Sequence, residues 1–171
     1  MADALKIGIA GLGTVGASLA KILVERRDML QTTCGRPIEI VAVTARTKGR
    51  DRGVDLSATE WFDDAVSLAG NAKIDVFVEL MGGSGDPAYS AVKAALSRGV
   101  HVVTANKALL AAHGVELAGI AEKHGCILNY EAAVAGGIPV IKALRESLTG
   151  NTISRVYGIM NGTCNYILRS E

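Results

Sequence analysis

Short apolar runs alternate along the chain with longer stretches in which apolar residues return every three or four positions. The runs, at 6–10, 38–45, 75–80, 100–104, 127–130 and 153–159, are apolar almost throughout, as strands covered on both faces are. Between them, Val15, Leu19, Ile22 and Leu23 share one face of a predicted helix, with Lys21, Glu25 and Arg26 largely opposite. Ala88, Val92, Ala95 and Leu96 do the same in another helix, and Leu110, Leu117, Ile120 and Ala121 in a third that ends before Gly125. The stretch 57–70 predicts a helix whose start the pattern does not define. Strands alternating with helices predict an α/β fold, a doubly wound and mainly parallel sheet with helices on both faces. Chemistry in such sheets gathers outside the carboxyl ends of the strands, here just after Ala10, Ala45, Leu80, Thr104 and Tyr130.

The first of these turns carries the most information. The strand Lys6-Ile7-Gly8-Ile9-Ala10 runs into Gly11-Leu12-Gly13-Thr14-Val15-Gly16, which opens the first helix. In that context a G-x-G-x-x-G spacing marks a Rossmann-type dinucleotide site. Gly11 permits the tight turn, Gly13 lets the backbone approach a pyrophosphate, and Gly16 lets helix and strand pack closely. The N–H groups around Leu12, Thr14 and Val15, with the positive end of the helix dipole, would hold the anion. The next strand ends Val43-Thr44-Ala45-Arg46, followed by Lys48, Arg50 and Arg52. An NAD site usually places an acid there for the ribose 2′-hydroxyl, yet Glu39 lies at the opposite end and Asp51 sits among bases. A guanidinium at Arg46 suits a 2′-phosphate, so NADP(H) is expected over NAD(H). A solvated basic loop is the alternative.

Composition narrows the classes. The 171 residues are 49% hydrophobic, 20% charged and 4% aromatic, with 20 Gly and 3 Pro, which excludes a disordered or low-complexity chain. A net charge of +1 leaves no electrostatic footprint for nucleic acid or an anionic membrane. The apolar runs fall short of the ~20 residues of a spanning helix. No leader pattern is seen at the start. Three cysteines, Cys34, Cys126 and Cys164, form no C-x-x-C pair, so neither a disulfide framework nor a thiolate zinc site is expected, and each reads as a small, partly buried apolar residue in a cytoplasmic protein.

Later turns add candidates. Glu79-Leu80-Met81-Gly82-Gly83-Ser84 ends a strand, and glycine at Gly82 would let a ligand lie against the backbone. Thr104-Ala105-Asn106-Lys107 ends the next strand and starts a helix, where a lysine opposes the dipole and points to a role in the crevice. In Tyr130-Glu131-Ala132-Ala133-Val134-Ala135-Gly136-Gly137-Ile138-Pro139, carbonyls beside a carboxylate could ligate a hard cation such as Na⁺, and Pro139 suits the first turn of a helix. His101, His113 and His124 read as packing or capping residues, and Trp61 with Phe62 as one small packing cluster.

The glycine turn, the 104–107 and 130–139 motifs and Asn161-Gly162-Thr163-Cys164-Asn165-Tyr166-Ile167-Leu168 together resemble the homoserine dehydrogenase family over essentially the whole chain. The resemblance implies NAD(P)-dependent interconversion of L-homoserine and L-aspartate 4-semialdehyde, on the route to threonine, methionine and isoleucine. It assigns the cofactor to residues 12–15, Arg46, Thr104 and Lys107, and places sodium on Glu131, Val134, Gly136 and Ile138, largely through main-chain oxygens; Lys107, as the one motif lysine in the crevice, is also a candidate for a share in catalysis. It divides the chain into a Rossmann domain, 1–135, and the start of a substrate-binding and dimerisation domain, 136–171. The family's homoserine-holding acids and proton-donor lysine have no counterparts here. The expectation is therefore a truncated cofactor-binding portion, inactive alone and homodimeric at full length. Two rivals are a non-catalytic NAD(P)-sensing module and another semialdehyde or amino-acid dehydrogenase, although the latter leaves 161–166 unexplained.

Overall fold

The computed structural model describes residues 2–136 and 138–158. In chain order the elements are β1 (Leu5–Ala10), α1 (Thr14–Glu25), α2 (Arg27–Cys34), β2 (Ile38–Thr44), β3 (Glu60–Trp61), α3 (Ala65–Asn71), β4 (Val76–Glu79), α4 (Ala88–Ser97), β5 (His101–Thr104), α5 (Lys107–Lys123) and β6 (Leu128–Asn129). A 3₁₀ turn, Glu131–Ala133, then leads to α6 (Val140–Lys142), which widens into a π-helical turn, Ala143–Ser147. The six strands form one sheet in the order β3-β2-β1-β4-β5-β6, and every pair is parallel. This is the expected doubly wound α/β sheet, with the chain reversing direction across the sheet between β1 and β4.

Two apolar layers explain why the strands read as continuous runs. One face buries Ile7, Ile9, Leu12, Ala20, Val43 and Val78, closed over by Leu19 and Leu23 of α1 and by Trp61. The other face buries Ala10, Leu68, Phe77, Val92, Leu96, Val102, Leu109 and Leu117 beneath α3, α4 and α5. Consecutive strand residues point to opposite faces, so both layers need apolar side chains.

Several expectations change. The buried stripe of α1 is Gly16 and Ala20, flanked by Leu19 and Leu23, whereas Val15 and Ile22 are 61% and 47% exposed; small residues sit at the closest helix–sheet approach and larger ones flank it. The first helix breaks at Arg26, and α2 continues to a left-handed cap at Gly35. The stretch 57–70 holds β3 and then α3, whose start is set by Asp64 accepting hydrogen bonds from the Ser67 N–H and hydroxyl. Trp61 and Phe62 do not form one cluster: they pack against opposite layers. Residues 153–158, expected as a strand, form none and are exposed, so their apolar side chains are not part of the core that the sheet builds. Cys34 is exposed rather than partly buried, lying on the solvated helix α2. The motif 161–168 lies outside the described residues.

Candidate functional site

Register aligns the carboxyl ends of the four central strands. Ala10 stands opposite Thr44 on one side and Glu79 on the other, and Glu79 stands opposite Thr104. Each strand therefore releases its following loop at the same level. The Gly11 N–H donates to the Thr44 carbonyl and the Leu80 N–H to that of Ala10, so these loops stay fastened to the sheet where they leave it.

The glycine turn is built as its spacing suggests. Gly11 has φ +98°, and a Cβ there would come within 2.6 Å of the Leu80 carbonyl oxygen. A Cβ on Gly16 would lie 1.9 Å from the Gly11 oxygen, so α1 crosses its own turn at a distance that no side chain permits. Gly13 is different: nothing lies within 4 Å of its would-be Cβ. It caps α1 with no side-chain hydrogen bond, and the first turn of that helix carries no acid. The leading N–H groups of α1 thus open onto free space beside Thr14 and Val15, both exposed. That opening fits a pyrophosphate.

The basic loop after β2 is organised by one of its own bases. Arg52 donates from Nε to the Leu12 carbonyl at 3.3 Å, and its terminal nitrogens donate to the carbonyls of Thr47, Lys48 and Arg50 at 2.5, 3.3 and 2.6 Å. One guanidinium therefore curls residues 47–52 and fastens them to the glycine turn. It also lies over the Trp61 ring, 5.4 Å from its centre, with the Lys48 ammonium 5.9 Å away. Arg46 is exposed and makes no hydrogen bond or ion pair among the described residues, so its fork is available to an anion. The aromatic nine residues downstream of Arg52 was the available signal for this latch.

Across the crevice, Gly82 has φ +80° with open space around it, and its N–H donates to Glu79. Thr104 is completely buried: its hydroxyl donates to Glu79 Oε2 at 2.5 Å and accepts from the Asn106 N–H at 2.9 Å, so that hydroxyl is committed within the protein. Asn106 caps α5 by accepting from the Leu109 N–H, and Lys107 follows, exposed, as the first residue of the helix. His101 is a packing residue, its Nδ1 accepting from the Ile127 N–H.

Of the sodium candidates, Glu131 spends its carboxylate on the N–H groups of Ile141 and Lys142, at 3.1 and 2.9 Å. Its main-chain oxygen accepts from Val134 and that of Ile138 from Val140. Ala135 and Gly136 have φ of 58° and 27°, so the backbone coils left-handedly between those carbonyls. No cluster of three or more His, Cys, Asp or Glu suited to a metal occurs among the described residues. Nor does any described helix have the length and apolar character to cross a membrane.

Sheet order and glycine turn together define a dinucleotide-binding Rossmann protein. Residues 11–131 match the family model described as homoserine dehydrogenase, NAD binding domain, and residues 139–170 match homoserine dehydrogenase. The homoserine dehydrogenase of Pseudomonas aeruginosa is 46% identical over 164 residues, which are 96% of this chain and 37% of that protein. The crystal structure of a homoserine dehydrogenase from Thiobacillus denitrificans superposes with a TM-score of 0.83 at 39% identity, over 96% of this chain and 38% of that one. A hyperthermophilic archaeal homoserine dehydrogenase in complex with NADPH gives 0.70 at 28% identity, over 86% and 50%. The chain belongs to the homoserine dehydrogenase family, and it spans 37% of the length of the Pseudomonas relative.

Proposed function

We propose that this chain is the cofactor-binding part of a homoserine dehydrogenase, which interconverts L-homoserine and L-aspartate 4-semialdehyde for threonine, methionine and isoleucine synthesis in the cytoplasm. Residues 1–135 form the Rossmann domain, and 136–171 begin the substrate-binding and dimerisation domain, through which the full-length protein is a homodimer. The observation that carries this reading is the uncapped start of α1, open above Gly13 and flanked by the Arg52-latched basic loop.

In this reading the N–H groups from Leu12 to Val15 receive the pyrophosphate, with Gly11 and Gly16 holding the turn in shape. Arg46 pairs with the 2′-phosphate of NADP(H) and sets the preference over NAD(H). Gly82 leaves room for the cofactor's nicotinamide half. Thr104 contributes by fixing the 104–107 turn, since its hydroxyl faces Glu79 rather than the crevice. When bound, the nicotinamide exchanges a hydride with the alcohol or aldehyde carbon. Lys107 extends a cation over the same crevice, where it binds cofactor and offers positive charge to an alkoxide forming on the substrate. Oxygen donors from Glu131, Val134, Gly136 and Ile138 are chemically suited to Na⁺; with the Glu131 carboxylate engaged, main-chain oxygens would hold the ion.

Calorimetric titration with NADPH, beside an assay of homoserine-dependent NADP⁺ reduction, tests the proposal. The chain is expected to bind NADPH and to give no turnover on its own. Absence of nucleotide binding would overturn the cofactor reading, and robust turnover by these 171 residues would overturn the partial-enzyme reading.

A further inference from the structure

Glu79 is the last residue of β4, next to the central switch between β1 and β4, and it is 0% exposed. Its Oε1 accepts from the N–H groups of Met81 at 2.7 Å and Gly82 at 3.2 Å, and more distantly from Asn106 Nδ2 at 3.5 Å. Its Oε2 accepts from the Thr104 hydroxyl. Asn106 Nδ2 also donates to the Gly83 carbonyl at 2.7 Å. One side chain thus fastens the loop after β4 to the turn after β5, two of the walls of the crevice.

Donors converge on both carboxyl oxygens, a demand that an ionised carboxylate meets and a neutral side chain with a single acceptor oxygen does not. Every partner of Glu79 is a donor, and no Lys, Arg or His among the described residues forms an ion pair with it. An unneutralised negative charge is therefore kept in a low-dielectric position behind the loops, where water and salt screen it weakly. The chemistry proposed for this crevice changes charge: a nicotinamide ring is cationic when oxidised and neutral when reduced. We propose that Glu79 is a positioning residue for both loops and that its charge makes the site favour the oxidised cofactor over the reduced one.

This inference rests on the cofactor reading above, and the test separates the two. Dissociation constants for NADP⁺ and NADPH are measured by calorimetry on the wild-type chain, Glu79→Gln and Thr104→Val. Glu79→Gln is expected to weaken NADP⁺ relative to NADPH by at least about threefold, the direction that removing a buried negative charge demands. Thr104→Val removes a donor and keeps the charge, so it should weaken both ligands and leave their ratio within about twofold of wild type, since a lost neutral hydrogen bond does not discriminate by ligand charge. If Glu79→Gln does not fold, Glu79→Met with Thr104→Val replaces the pair by apolar groups and must shift the ratio in the same direction. An unchanged ratio in the charge-removing variant, or an equal shift in Thr104→Val alone, overturns the inference while leaving the cofactor reading intact. A wild-type chain that binds neither nucleotide overturns both.

Discussion

Gly13 and Gly16 stand three positions apart in one motif, yet alanine should act on different properties at each. At Gly16 the added methyl would sit 1.9 Å from the Gly11 oxygen, against an ordinary contact of about 3.5 Å. The helix or the turn must retreat by roughly 1.6 Å, and both are fixed: Gly16 is buried against the sheet, and the Gly11 N–H is bonded to Thr44. Overpacking at so constrained a place costs about 3 kcal/mol, which for a chain of this size lowers the melting temperature by roughly 6–12 °C. At Gly13 nothing lies within 4 Å, and its φ of −74° is open to any residue, so alanine should change stability by less than about 1 kcal/mol. The methyl would instead occupy the space above the first N–H groups of α1, and NADPH affinity should fall about tenfold or more through lost backbone contact with the pyrophosphate. Thermal melting and calorimetric titration of the two variants read both properties. A Gly16→Ala chain as stable as wild type would refute the steric argument, and a Gly13→Ala chain with undiminished NADPH binding would refute the pyrophosphate assignment.

Arg46→Ala should weaken NADPH by roughly tenfold or more, the size of a lost charge-assisted pair, and leave NADH unchanged; equal losses in titrations of the two would remove the 2′-phosphate role. Arg52→Lys cannot reproduce a fork that reaches four carbonyls, so amide hydrogen exchange across 47–53 should quicken with little fall in melting temperature, and exchange at the wild-type rate would show that the latch is unnecessary. Between α4 and α5, the Tyr89 hydroxyl donates to Glu116 and accepts from Lys93, which also pairs with Glu116 at 3.0 Å. These hydrogen bonds, the Tyr89 hydroxyl's foremost, hold the Glu116 carboxyl below its ordinary range, and Tyr89 and then Glu116 raise Lys93. The Glu116 contribution is accordingly present above its unfolded pKa of about 4.3 and is lost as pH falls through the lower folded value. That of Lys93 is complete below about 10.4 and lost as pH rises through its higher folded value. His113 Nδ1 also lies 3.8 Å from the Glu116 carboxylate, so the melting-temperature gap between wild type and Glu116→Gln should be flat only from about pH 8 to 9, and it should close below about pH 4; a gap that persists at pH 3 would rule this clamp out.

What could be read ahead of the structure was whatever depends on periodicity or on backbone permission. Continuous apolar runs located β1, β2, β4 and β5 because burial on both faces leaves no polar alternative, and three glycines at fixed spacing located the first turn, where Gly11 and Gly16 answer separate steric demands and Gly13 leaves the helix start open. The two-residue strand β3 was invisible, since Glu60 and Trp61 are too few to show a period and owe their place to the register with Ala42 and Val43. The site's scaffold escaped for a related reason. Arg52 and Glu79 act through partners distant in the chain, Leu12 in one case and Thr104 with Asn106 in the other. Arg52 read as one more base in a basic stretch, and Glu79 as the polar end of a strand. Register explains why they matter: with Thr44, Ala10, Glu79 and Thr104 in one row, a single long side chain at that level can reach the loop next door. The residues proposed to meet a ligand are thereby legible as motifs, whereas those that hold the motifs apart at the right distance become legible only once the strands are paired.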